Sequence, residues 1–137
     1  MHTILFACVH NAGRSQMAAA LFNAVADPSR AQAISAGTEP AARVHPEVVE
    51  VMREVGIELA NAQPQRLTAE LARSARLLIT MGCGEACPAV PGVEVLDWPL
   101  VDPKGKGLDD VRRIRDQVAT LVEQLLAVRG WGARSGR

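Results

Sequence analysis

Apolar positions along the chain change their spacing several times, in the order typical of strands that alternate with helices. Short, mainly apolar runs predict four strands, near residues 3–7, 32–36, 76–80 and 93–96, of which the first and third have the pattern of buried strands. Apolar residues that recur every three or four positions predict helices over residues 14–26, 46–55, 68–72 and 109–128. This alternation predicts an α/β domain, a three-layer sandwich around a four-stranded parallel sheet.

The 137-residue chain has the organisation of one domain. Single domains are most often about 100–150 residues long, and this chain has neither an internal repeat nor a linker between two apolar regions. We expect the domain to occupy residues 1–129 and residues 130–137 to form a flexible tail.

Composition narrows the class of protein. The chain carries 15 basic and 15 acidic side chains, so its net charge is zero, which argues against a nucleic-acid partner. No apolar run approaches the roughly 20 residues of a membrane span, and the N-terminus lacks the features of a secretory signal. We therefore expect no membrane partner and a cytoplasmic location, where the three cysteines stay reduced.

The segment that follows the first predicted strand has the form C-x5-R-S and leads into a predicted helix. Such a loop turns several backbone N–H groups toward one point at a helix N-terminus, which favours a tetrahedral oxyanion. Arg14 supplies a planar guanidinium to the same site, and Cys8 lies at its floor, where the donors favour the nucleophilic thiolate. The expected oxyanion-binding residues are Val9, His10, Asn11, Ala12, Gly13, Arg14 and Ser15.

Three residues of this loop have expected supporting roles. Ser15 is placed to donate a hydrogen bond to the Cys8 thiolate, and Asn11 to hold the shape of the loop. Gly13 is expected to allow a backbone conformation that a β-carbon opposes.

Two more thiols, Cys83 and Cys87, follow the third predicted strand. A zinc site needs three or four ligands at suitable spacing, and the histidines fall in unrelated parts of the chain, so no metal is expected. In a helical turn, α-carbons four residues apart are about 6 Å from each other, near the upper end of disulfide geometry. The pair is therefore interpreted as redox-active, at the sheet edge where Cys8 also lies.

The loop after the fourth predicted strand contains Asp102-Pro103, in which proline stiffens the presentation of a carboxyl group. A carboxyl group over an oxyanion and a thiolate is suited to general-acid catalysis, so Asp102 is the predicted acid. Asp97, at the end of the strand, is expected to be structural.

Taken together and in this order, the three segments resemble the low-molecular-weight tyrosine phosphatase superfold and, within it, the arsenate reductases of that fold. Residues 8–18 resemble their nucleophile loop and first helix, residues 80–88 their redox-cysteine segment, and residues 97–106 their acid loop. The resemblance extends to about residue 129 and implies a low-molecular-weight phosphotyrosine phosphatase-like fold.

The resemblance also implies a mechanism of arsenic detoxification. Arsenate binds in the 8–15 loop, Cys8 attacks arsenic, and Asp102 protonates the departing hydroxyl. Cys83 then attacks the Cys8 sulfur and arsenite leaves. Cys87 moves the disulfide outward to Cys83–Cys87, which a thioredoxin-like partner reduces. No metal or organic cofactor is required.

Several alternatives stay open at this point. The Cys83–Cys87 spacing is shorter than in the best-known thioredoxin-coupled members, and the loop also resembles members that use mycothiol and its mycoredoxin as reductant. A phosphotyrosine phosphatase would use the same Cys8, Arg14 and Asp102. However, the resembled phosphatases carry tyrosines beside the acid, whereas this chain has no tyrosine, and a thiol pair would be idle there. A module that only binds oxyanions needs no nucleophile or acid. Arsenate reduction is therefore the favoured hypothesis.

Overall fold

In the computed structural model, which describes residues 2–82 and 90–132, strands and helices alternate as the sequence predicts. The strands are β1 (His2–Cys8), β2 (Ala31–Gly37), β3 (Leu77–Thr80) and β4 (Glu94–Asp97). The helices are α1 (Arg14–Val25), α2 (Pro46–Arg53), α3 (Ala69–Arg73) and α4 (Leu108–Arg129). All strand pairs are parallel, in the order β2-β1-β3-β4, which confirms the predicted α/β class.

Both faces of the sheet are covered at its central strands β1 and β3, which is why these two strands carry continuous buried apolar runs. Successive side chains of a strand point to opposite faces. Ile4 and Phe6 accordingly belong to the larger core, which includes Phe22 of α1 and Val118 of α4. Leu5 and Ala7 face a smaller core on the side of α3. Helices on the two faces and the sheet between them make the three layers.

The end of the domain lies beyond the predicted boundary at residue 129. Gly130 ends α4 in the left-handed conformation, at φ 71°, and the chain turns back toward the sheet. Trp131 is 7% exposed, with its ring centroid 6.4 Å from that of Phe22, and its carbonyl accepts the N–H of Asp27. Burial of the indole therefore keeps residues 130–132 in the domain, and the rest of the predicted 130–137 tail lies outside the described residues.

Across residues 2–82 and 90–132, none of the helices combines the length and the apolar character that crossing a membrane requires.

An ion-pair cluster joins α2 to α4 through Glu54, the residue that follows α2. Arg112 donates to both carboxylate oxygens of Glu54, at 2.7 to 3.0 Å, and Arg115 donates to one of them at 2.8 Å. These hydrogen bonds, first from Arg112 and then from Arg115, lower the pKa of Glu54 to about 2. Because the unfolded chain has the ordinary, higher value, folding is favoured wherever Glu54 is ionised.

We expect stability to depend on pH through Glu54. Its contribution is complete above the ordinary carboxyl pKa of 4.5 and is lost as pH falls toward the folded value of about 2. Glu54→Gln should lower the free energy of unfolding at neutral pH, and the difference from the unchanged chain should shrink over that interval. Urea denaturation at several pH values measures this, with Glu50→Gln on α2 as the control. A difference that does not vary with pH would contradict the prediction.

Candidate active site

The carboxyl end of β1 places Cys8 at the floor of the 8–15 loop. Its side chain is buried, at 2% exposure, and Sγ lies 2.8 Å from the hydroxyl oxygen of Ser15. The backbone N–H of Asn11 donates to the same sulfur at 3.3 Å. Two hydrogen-bonding groups therefore meet the sulfur, an arrangement that stabilises negative charge on it.

The carbonyl groups of the loop explain why its N–H groups are free to bind an anion. Every carbonyl from Cys8 to Gly13 accepts a hydrogen bond of 2.7 to 3.2 Å. The donors, in order along the loop, are the N–H groups of Thr38, Glu39 and Ala41, the side chain of Gln16, and the N–H groups of His45 and Met17. In a trans peptide the N–H points opposite to the C=O. Because these carbonyl groups point out of the loop, the N–H groups of residues 9–14 point into it, as the N–H of Asn11 does toward the Cys8 sulfur.

Asn11 holds the loop together through its side chain. It is fully buried, and its Nδ2 donates to the Ser15 hydroxyl at 2.7 Å. Its Oδ1 accepts from the backbone N–H of Gln65 at 2.9 Å and from Nε2 of Gln16 at 3.3 Å. Asn11 also has a left-handed backbone, at φ 51°, which asparagine tolerates better than most residues. The sequence predicted that Asn11 supports the loop but did not indicate Gln16 or Gln65.

Arg14, the first residue of α1, brings a buried positive charge to the site. It is 5% exposed, its Nη1 donates to the carbonyl of Leu100 at 3.1 Å, and its Nη2 lies 3.6 Å from Oδ2 of Asp102. Its Nε is buried and has no hydrogen-bond partner within residues 2–82 and 90–132. A buried charged donor without an acceptor is unfavourable, so this atom indicates that an anionic ligand completes the site.

Asp102 reaches Arg14 because the loop between β4 and α4 is fixed at two points. Trp98 is buried against Phe6, with ring centroids 5.5 Å apart, and its N–H donates to Thr80. Pro103 is buried against Gly13, where a β-carbon would lie 2.5 Å from the proline Cγ. The Asp102 side chain itself is 41% exposed, so it stands at the mouth of the site beside Arg14.

The structure shows a steric reason for glycine at position 13. Gly13 has a φ of −144°, outside the left-handed region in which glycine is favoured. The close approach of Pro103 excludes a side chain there. The left-handed residue of the loop is Asn11 instead.

His45, the residue before α2, lies beside the loop. Its N–H donates to the carbonyl of Ala12 at 2.9 Å. Burial lowers the pKa of the imidazole, while the carboxylate of Asp102 acts in the opposite direction. At neutral pH the ring is therefore uncharged, and Arg14 supplies the buried positive charge of the site.

The structure thus places Cys8 at the floor of the 8–15 loop and Arg14 beside Asp102. The predicted redox residues Cys83 and Cys87 lie outside the described residues. Asp97 accepts a hydrogen bond of 2.7 Å from the Thr80 hydroxyl at the end of β3, which agrees with a structural role. In the described ranges, no group of three or more His, Cys, Asp or Glu side chains is arranged to hold a metal ion.

This parallel sheet and the C-x5-R-S loop at its edge define a known class. The chain belongs to the low molecular weight phosphotyrosine protein phosphatase family, whose profile matches residues 3–130. Its relatives include proteins named as arsenate reductases. A putative arsenate reductase of Halobacterium salinarum is 38% identical over 124 residues, which are 88% of this chain and 87% of that protein. Arsenate reductase 2 of Staphylococcus haemolyticus is 34% identical over 125 residues, with 88% and 93% covered.

A solved structure with a similar fold is the thioredoxin-dependent arsenate reductase of Corynebacterium glutamicum. The two structures superpose with a TM-score of 0.81 and 38% sequence identity over 93% of this chain. This chain spans 61% of the length of that protein.

Proposed function

We propose that this protein is an arsenate reductase that converts arsenate to arsenite with Cys8 as the nucleophile. The observation that carries the proposal is the buried Nε of Arg14, which has no partner among the described residues, since a tetrahedral oxyanion in the loop above Cys8 satisfies both it and the inward N–H groups. The arsenate reductases among its relatives support the choice of arsenate. The choice is supported further by two thiols, Cys83 and Cys87, that follow β3 in the sequence.

The first step forms a bond between the Cys8 sulfur and arsenic. The thiolate attacks in line, an As–O bond breaks, and Asp102 gives a proton to the departing oxygen, which leaves as water. Arg14 and the N–H groups of the loop hold the remaining oxygens of the As(V) adduct.

The second step transfers two electrons to arsenic. The Cys83 thiolate attacks the Cys8 sulfur, and the S–As bond breaks with its electron pair on arsenic, so that As(III) leaves as arsenite. Cys87 then attacks Cys83 and releases the Cys8 thiolate, leaving a Cys83–Cys87 disulfide. A dithiol of the thioredoxin class reduces that disulfide, so each arsenate consumes one dithiol. The thioredoxin-dependent relative favours this reductant over mycothiol, and a cytoplasmic location would keep it reduced.

Arsenite production by the purified chain tests the proposal. We expect arsenite with arsenate, thioredoxin, thioredoxin reductase and NADPH, and we expect Cys87→Ser to accumulate a Cys8–Cys83 disulfide that mass spectrometry of peptides identifies. A parallel assay replaces the thioredoxin system with mycothiol and mycoredoxin. If arsenite forms only in that assay, mycothiol is the reductant. Efficient hydrolysis of a phosphotyrosine peptide without arsenite under either condition would show that the chain is a phosphatase instead.

A further inference from the structure

Gly82 lies directly against the guanidinium of Arg14. It follows β3, after Met81, whose N–H donates to the carbonyl of Ala7 at 2.7 Å and so ties this segment to β1. A β-carbon at position 82 would overlap Nη1 of Arg14 and would lie 3.3 Å from Cζ and 3.8 Å from Nη2. A side chain at this position is therefore incompatible with the present place of the guanidinium.

Within the described residues, two polar contacts hold the guanidinium of Arg14. The carbonyl of Leu100 accepts from Nη1 at 3.1 Å, and Asp102 lies 3.6 Å from Nη2. Both of these groups belong to one loop, on the side of β4, whereas Gly82 belongs to the end of β3. A group that displaces Nη1 at Gly82 would disturb the hydrogen bond to Leu100 and turn Nε, the atom that has no protein partner in the described structure.

Other glycines show that backbone conformation alone does not explain this contact. Gly82 has a φ of +94°, and Gly92 has a similar φ of +85°. A β-carbon at Gly92 would meet nothing within 4 Å, whereas one at Gly82 would meet three atoms of a buried arginine. Position 92 thus favours glycine only because of its backbone conformation. At position 82 the guanidinium of Arg14 also leaves no room for a side chain.

We propose that Gly82 is a positioning residue for oxyanion binding: the absence of a side chain at this position sets the place of the Arg14 guanidinium, and hence the direction of its free Nε. The proposal rests on the proposed function, because it assigns Arg14 to the bound oxyanion. Gly82 also precedes Cys83 in the sequence, so the segment that carries the second thiol begins in contact with the oxyanion arginine.

The test compares Gly82→Ala with Gly92→Ala in the full-length, reduced protein, with inorganic phosphate as the probe. Both substitutions place alanine at a left-handed position, but only the first reaches Arg14. We expect Gly82→Ala to weaken phosphate binding by about 10- to 100-fold, the usual effect of losing a hydrogen bond to a charged group. Gly92→Ala should leave phosphate binding unchanged. Equal binding in the two variants would overturn the proposal.

A double-mutant cycle shows whether the effect of Gly82→Ala passes through Arg14, and it stays informative when that variant is unstable because stability is the quantity compared. Gly82→Ala should lower the melting temperature substantially in the presence of Arg14 and much less in an Arg14→Ala background, where no guanidinium meets the new methyl group. The same loss in both backgrounds, or a double variant that fails to fold, would overturn the proposal. Phosphate binding that depends on Gly82 without arsenite production would reject only the reductase. Arsenite production without that dependence would reject only the role of Gly82.

Discussion

Cys8→Ser should abolish arsenite production while leaving the fold intact. The serine oxygen would occupy nearly the same position as the cysteine sulfur. The hydroxyl can therefore keep the contacts that Sγ makes with Ser15 and with the N–H of Asn11. However, a hydroxyl is a far weaker nucleophile than a thiolate at neutral pH, and it cannot form a disulfide with Cys83. Loss of a catalytic nucleophile reduces turnover by about 10⁴-fold or more, so arsenite should fall to background.

Two measurements separate this chemical effect from a structural one. Arsenite is measured with the reductant that supports the unchanged chain, and phosphate binding is measured in the same preparation. Cys8→Ser should bind phosphate, because the oxyanion contacts come from the loop N–H groups and Arg14. Ser15→Ala is the matched control: it removes a partner of the sulfur but keeps the thiol, so it should slow turnover without stopping it. Full activity of Cys8→Ser would exclude Cys8 as the nucleophile, and loss of phosphate binding would indicate a damaged site.

The layers of the fold were predictable because burial on both sides of the sheet requires consecutive apolar residues, a pattern that is visible in the sequence. Residues 4–7 and 77–79 are apolar without interruption, since one side chain faces α1 and α4 while the next faces α3. The place of Trp131 was not predictable in this way. It is a single aromatic residue after a glycine, with no periodic pattern around it, and its burial depends on Phe22 and His2, which are distant in the sequence.

The same distinction applies to the site. Cys8, Asn11, Arg14 and Ser15 lie in one short segment between a strand and a helix, so their spacing alone predicts that they meet. Asp102 could be added because the carboxyl ends of parallel strands share an edge. The contacts that fix these groups join distant segments: Asn11 with Gln65, Gly13 with Pro103, and Arg14 with Gly82. No local pattern marks such pairs, so the loop was predictable and its supports were not.

Asn11 is the support whose removal should have the largest effect on stability. Asn11→Ala leaves the N–H of Gln65 without its acceptor and the buried Ser15 hydroxyl without its donor. Losing several hydrogen bonds of a buried network typically lowers the free energy of unfolding by about 2–5 kcal/mol. Arsenite production should also fall strongly, because Ser15 and the N–H of Asn11 both contact the Cys8 sulfur.

Comparison of Asn11→Ala with Asn11→Gly separates the side chain from the backbone. Alanine is disfavoured at the left-handed φ of 51°, and glycine is not. If the hydrogen bonds of the amide are what matters, glycine should recover little stability and no activity. Asn23→Ala is the control: Asn23 bonds to Ala33 through both amide atoms, at 2.8 and 3.0 Å, but far from Cys8, so it should lower stability while arsenite production is unchanged. Full recovery with Asn11→Gly would mean that position 11 acts only through its backbone. In that case the backbone turn, and not the buried hydrogen bonds of the Asn11 amide, would determine the contacts of the Cys8 sulfur.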